Sequence, residues 1–306
     1  MNFQNANSEP YYRFFRFHEE FTRNMKVAFG AIEQVRASSH VESGESKKLI
    51  TLPTGGEPWG GATQWNDICK VMTDAKHFLS QMSLVGVMSA FEDFLINTEA
   101  ELDRYSKLID PSFQSPPQKE MSEVSRTEWI CRRLECSTTP LNSVLQIIDY
   151  FSIARNVIAH RSSRATKQLI AKVQNRDFQE CLDEWKTPRG KKLPALPALE
   201  LNREIRFLPR HAILASIMCC SAAEMINKQL ISVIGQNGVV YMAAYHALFN
   251  EDALPKGANK TAVALINDVL FDRYRVTEFD SEATIKCLKE IGKWKHCLLQ
   301  FERLYT

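Results

Sequence analysis

Asp149-Tyr150-Phe151-Ser152-Ile153-Ala154-Arg155-Asn156-Val157-Ile158-Ala159-His160-Arg161 closes a helix and runs directly into basic sequence. Thr138-Thr139-Pro140 upstream is a start signal, because a hydroxyl can cap the first free amides and proline suits the first helical position. From there Leu141, Val144, Leu145, Ile148, Phe151 and Ser152 recur at steps of three and four, the mark of one buried helical face. At ~100° per residue Arg155 falls near the middle of that stripe. A guanidinium there is costly unless it is paired or faces a polar cavity, so Arg155 is expected as a buried ion-pair partner or as part of a site. Asp149, Asn156 and His160 stack along the polar flank. Roughly 140° separates Arg155 from His160 on an ideal helix. The two meet one phosphate only if Arg155 reaches around, the helix loosens, or a second copy completes the site.

The spacing Arg-x4-His is weak by itself, since it recurs at Arg13 to His18 and at Arg206 to His211. The copy at Arg155 is set apart by Asn156 directly after the arginine, by the apolar helix that carries it, and by Arg161, Arg164 and Lys167 just beyond. Arg155-Asn156-Val157-Ile158-Ala159-His160 resembles the Arg-x(4–6)-His motif of the HEPN-domain ribonucleases, in which a polar residue, often Asn, follows the arginine. The run Ser83-Leu84-Val85-Gly86-Val87-Met88-Ser89-Ala90-Phe91-Glu92-Asp93-Phe94-Leu95 resembles that family's earlier apolar helix with an embedded acidic residue. The resemblance covers about residues 75 to 235. It implies an all-α, up-down helical bundle, with extra N- and C-terminal helices and at most a short β element.

Composition agrees with a helical protein. The 306 residues can bury a sizeable core, and 12 Gly with 12 Pro argue against a loop-rich β fold. A net charge of +2 means that any nucleic-acid binding rests on local patches. Eight cysteines without a CxxC pair read as reduced thiols in a cytoplasmic setting, and neither a metal site nor a cofactor is called for. No run is read as long and apolar enough to span a bilayer, and no signal pattern opens the chain.

Three spans are expected: residues 1–62 as a helix (11–38) and a Gly/Pro-rich loop, 63–237 as the HEPN-like helical domain, and 238–306 as a C-terminal helical extension. Within them, helices are expected over 63–108 with a break near Ser80 to Ser83, over 118–135, over 210–234 up to Gly235-Gln236-Asn237-Gly238, and over 239–249, 259–275 and 281–304. Ser281 is the expected cap of the last. Leu199, Leu201, Ile205 and Phe207 alternate with polar residues and suggest one extended segment. Over 161–192, nine basic residues stand against four acidic ones, an excess that begins at His160, where a phosphate backbone would need to lie. His18, His246 and His296 read as packing or surface residues.

The resemblance and the residue chemistry together imply a metal-independent endoribonuclease. Histidine titrates in the range needed for proton transfer, and a guanidinium matches phosphate geometry. His160 is expected as the acid/base, Arg155 as the phosphate clamp and Asn156 as the positioning group. Glu92 is the expected partner of Arg155, and Arg161, Arg164 and Lys167 would hold the RNA. The family also implies a homodimer through the motif helix, a bacterial toxin or anti-phage role, an antitoxin or other regulatory protein as a possible partner, and no membrane. Ser162 stands where one toxin branch carries tyrosine two residues past the histidine, which argues against that branch. Two rivals remain: a non-catalytic helical module that binds RNA or protein, and a helical protein unrelated to the family.

Overall fold

The computed structural model describes residues 2–3, 5–41, 50–51, 64–65, 67–115, 125–137, 139–184, 195–250 and 260–305. The described chain is all-α apart from one two-residue antiparallel pairing of β1 (Ile50–Thr51) with β2 (Gln64–Trp65). The helices are α1 (Glu9–Val41), α2 (Ile68–Ile109), α3 (Arg126–Arg133), α4 (Asn142–His160), α5 (Lys167–Gln174), α6 (Arg176–Glu184), α7 (Pro209–Leu248), α8 (Ala262–Asp272), α9 (Ser281–Glu290) and α10 (Trp294–Tyr305). A 3-10 turn over Thr139–Leu141 leads into α4.

The chain forms two compact units. One is built from Met1–Arg16, Ala90–Asn142 and Cys220–Thr306; the other from Phe17–Ser89 and Ser143–Cys219. The first unit holds a buried polar network in an apolar core. Glu101, 1% exposed, accepts from the Tyr274 hydroxyl and contacts His246 Nε2, each at 3.0 Å. Burial beside Glu101 pushes the Tyr274 phenol well above its ordinary range, so it stays a donor. Glu9 pairs with Arg273 at 3.1 Å, and Asn227 Oδ1 accepts from the Ser8 amide at 2.7 Å. His246 is thus a buried hydrogen-bonding residue, and His296 stacks on Phe249 at 4.8 Å. The second unit buries Leu84, Val87 and Met88 of α2 and Ile147, Phe151 and Ala154 of α4. Burying such side chains contributes about 1.5–3 kcal/mol each.

Three sequence expectations change. No break occurs at Ser80 to Ser83: the Ser80 hydroxyl donates to the Lys76 carbonyl 2.7 Å away and so satisfies itself inside the helix. The final helix is two, because Gly292 takes φ +69 and separates α9 from α10; the cap is Asp280, whose carboxylate accepts from the Ala283 amide at 2.6 Å, and not Ser281. Two segments, Cys69–Ile109 and Pro209–Leu248, are long and apolar enough to cross a bilayer, contrary to the sequence reading. Under half of each apolar stretch is buried. Most of the expected Gly/Pro-rich loop before residue 63 lies outside the described residues.

The expected stop at Gly235 is present as a kink inside α7, with φ +61 and ψ −173. That conformation is essentially restricted to glycine. Gly235→Ala should therefore destabilise by about 1–3 kcal/mol. Gly30, exposed in α1 with open space around its Cα, should behave oppositely, Gly30→Ala stabilising by about 1 kcal/mol. Urea unfolding of the two variants checks the opposite signs.

Candidate nucleic-acid interface

The buried face of α4 comprises Val144, Ile147, Ile148, Tyr150, Phe151, Ala154, Val157 and Ile158. Its centre lies roughly 95° from where the sequence reading put it, since Leu145 and Ser152 are only half-buried. Arg155 consequently flanks the stripe and does not lie at its middle. Its guanidinium Nη1 donates to Asn156 Oδ1 at 3.0 Å, so the side chain turns toward the polar flank. Asp149, Asn156 and His160 share that flank, and all three are exposed. Of the ways to reconcile Arg155 with His160, reaching around is therefore open within one copy.

The second half of the interface is the turn that follows. The Arg161 and Ser163 amides both donate to the Val157 carbonyl, at 3.0 and 3.2 Å, which closes the helix end. Ser162 and Ser163 both adopt left-handed conformations, φ +49 and +58. Two such residues in succession cost of order 1–3 kcal/mol each unless their surroundings hold them. Residues 202–205 do so. The Ile205 amide donates to the Ser163 carbonyl at 2.8 Å, Ala165 donates to the Arg203 carbonyl at 2.9 Å, and Asn202 donates to the Ala165 carbonyl at 3.0 Å. Ile205 and Phe207 are buried beneath this contact, while Leu199 and Leu201 are not. The expected extended segment thus reduces to a single bridge between Arg164 and Glu204.

The pinned turn displays Arg161 and Arg164 exposed beside His160, with Lys167 exposed at the start of α5. Arg164 Nη1 also donates to the Asn202 carbonyl at 3.3 Å. Not every cation of the basic run faces outward. Lys172 is bound to Asp149 at 2.6 Å and lies over the Phe178 ring, which stacks on Tyr150 at 5.6 Å. Those contacts fasten α5 and α6 to α4, so Lys172 serves packing. Arg176 pairs with Glu180, and Lys186, Arg189, Lys191 and Lys192 lie outside the described residues. Glu92 is exposed on α2; it belongs to the first unit, and Arg155 to the second.

The histidines of the other two Arg-x4-His copies take structural roles. His211 is 1% exposed; its Nδ1 accepts from the Leu208 amide at 3.0 Å, so Nε2 carries the proton that faces the Ala195 carbonyl at 2.9 Å. Arg206 lies on the preceding segment, outside α7, as the sequence suggested. His18 Nδ1 lies 2.7 Å from the Ser216 hydroxyl. One cluster escaped the sequence reading altogether: His77 of α2 meets Glu204, with Arg206 nearby, around a cavity of about 490 Å³. Nothing periodic signals it, because its residues come from three separated segments.

No family model, curated protein or solved structure matches the chain.

Burial holds the imidazoles of His18 and His211 below the ordinary 6.5, favouring their neutral forms. The unfolded chain takes up protons below pH 6.5 that these folded imidazoles resist. Their contribution is therefore complete above that value and is lost progressively as pH falls below it. Thermal unfolding followed from pH 7.5 down to pH 5 should show a falling Tm, and His211→Gln should flatten that decline.

Proposed function

We propose that the chain is a metal-independent endoribonuclease whose working residues are Arg155, Asn156 and His160. The observation that carries this reading is the shared face: a guanidinium turned toward Asn156, an exposed imidazole at the helix end, and a strained basic turn held beside it. Strain retained by hydrogen bonds at an exposed charged turn fits a site that needs its geometry fixed. In the proposed step the ribose 2′-oxygen attacks the adjacent phosphorus and loses its proton. The phosphorus–5′-oxygen bond breaks, and the leaving oxygen takes up a proton. The products are a 2′,3′-cyclic phosphate and a 5′-hydroxyl. His160 serves one of the two proton transfers, Arg155 stabilises the added charge on phosphorus, and Asn156 orients it. Arg161, Arg164 and Lys167 bind the strand.

A second copy packed on α4 would supply the other histidine. The half-exposed or exposed strip Leu145, Ser152, Asn156 and Ala159 is free of bulky charge and suits such packing. A cytoplasmic toxin or anti-phage effector restrained by a regulatory protein is the setting that goes with this activity.

One observation favours the alternative, a non-catalytic RNA- or protein-binding module. His160 has no hydrogen-bond partner among the described residues, whereas catalytic imidazoles are commonly oriented by one. Cleavage separates the readings. Wild-type protein incubated with total RNA and tRNA in excess EDTA should yield fragments ending in cyclic phosphate. His160→Ala should lower the rate by about 10²-fold or more while leaving stability within ~0.5 kcal/mol, as expected at an exposed position. Undiminished cleavage by His160→Ala would remove it from the mechanism, and RNA binding without cleavage by either protein would favour the module.

A further inference from the structure

We infer that the second unit carries a separate ribonucleotide-binding pocket, formed where α1, α2 and the segment before α7 meet. The cavity has a volume of about 490 Å³, inside the range of small-molecule sites. Its lining includes Arg36 of α1, Asp74, His77 and Phe78 of α2, and Glu204 and Arg206 of the returning segment. Several of these groups are already committed. Glu33 engages both Lys76 and Arg36, the latter at 2.7 Å, so those cations are partly neutralised. His77 Nε2 lies 3.1 Å from Glu204 Oε1 and 2.8 Å from Gln81 Nε2.

What remains uncommitted defines the ligand. Arg206 makes no ion pair or hydrogen bond among the described residues, and neither does Asp74. Phe78 is 59% exposed, an unusual position for a phenyl ring beside a cavity. His77 Nδ1 is buried with no hydrogen-bond partner among the described residues. That nitrogen is closed to water, so it faces the protein and not the cavity, and the ligand is defined by the other three groups. The set therefore asks for three chemical features in one molecule: an anion for a free guanidinium, hydroxyls for a free carboxylate, and a flat face for an exposed ring. A nucleoside phosphate combines them. Its phosphate suits Arg206, its ribose hydroxyls suit Asp74, and its base suits stacking on Phe78, which any base can do. A simple sugar leaves Arg206 unused, and an inorganic anion leaves Phe78 and Asp74 unused. The pocket holds none of Arg155, Asn156 or His160 among its lining, so the inference stands apart from the nuclease reading.

Calorimetric titration of the full-length wild-type protein with AMP, GMP, CMP and UMP, and separately with adenosine and inorganic phosphate, tests it. At least one nucleotide should bind saturably and more tightly than either fragment. Phe78→Ala and Arg206→Ala, both at exposed positions, should each weaken that binding about tenfold or more, ~1.4 kcal/mol per tenfold. Arg206→Lys should restore part of the loss, and His160→Ala should leave binding unchanged. Circular dichroism establishes that the variants fold. Absence of nucleotide binding at millimolar concentration, binding indifferent to both alanine variants, or phosphate bound as well as the nucleotides with no effect of Phe78→Ala would each overturn the assignment.

Discussion

The hydrogen bond from the Ile205 amide to the Ser163 carbonyl holds the candidate interface together. Without it, two consecutive left-handed serines would relax toward ordinary backbone geometry. The end of α4 would then lose its fixed exit, and His160, Arg161 and Arg164 would no longer share one corner. The contact is supported from below, since Ser163, Ala165, Ile205 and Phe207 are all buried. A polar backbone pairing is thus sealed by apolar packing, where an unmade bond costs more than a made one yields.

The same segment serves two surfaces. Residues 202–205 pin the turn after His160, while Glu204 and Arg206 project to the cavity beside His77. Side chains alternate along extended chain, so Ile205 and Phe207 enter the core as Glu204 and Arg206 face away from it. A short irregular segment can therefore bridge a helix terminus and a cavity without contributing a strand to any sheet. The units differ in how they treat buried charge. The first encloses Glu9 and Glu101 within hydrogen-bonded networks; among the described residues of the second, no Asp, Glu, Lys or Arg is buried.

Much of the helical architecture was legible because its signal is periodic. Apolar steps of three and four located α1, α4 and α7 to within a few residues, and Gly235 announced its own kink. Phase was harder to read than presence. Counting Leu145 and Ser152 as buried rotated the α4 stripe and made Arg155 look central, although Tyr150, Ala154 and Val157 carry the true face. Serine misled at Ser80, where local back-bonding keeps it helical, and glycine was overlooked at Gly292, where it ends a helix. On the polar flank, Asp149, Asn156 and His160 were placed correctly from angle alone. The locking of the turn and the cavity were not legible, because both depend on residues more than thirty positions apart in sequence and on no repeating pattern.

The most direct test of this account is amide hydrogen exchange at Ile205 and Ala165, read residue by residue by NMR. If the turn after His160 is pinned as described, both amides exchange slowly, on the scale of the interior amides of α4 and far below that of exposed loop amides without a hydrogen bond. Rapid exchange at both positions, with α4 itself protected, would show that the turn is not held, and the interface built on it would fall.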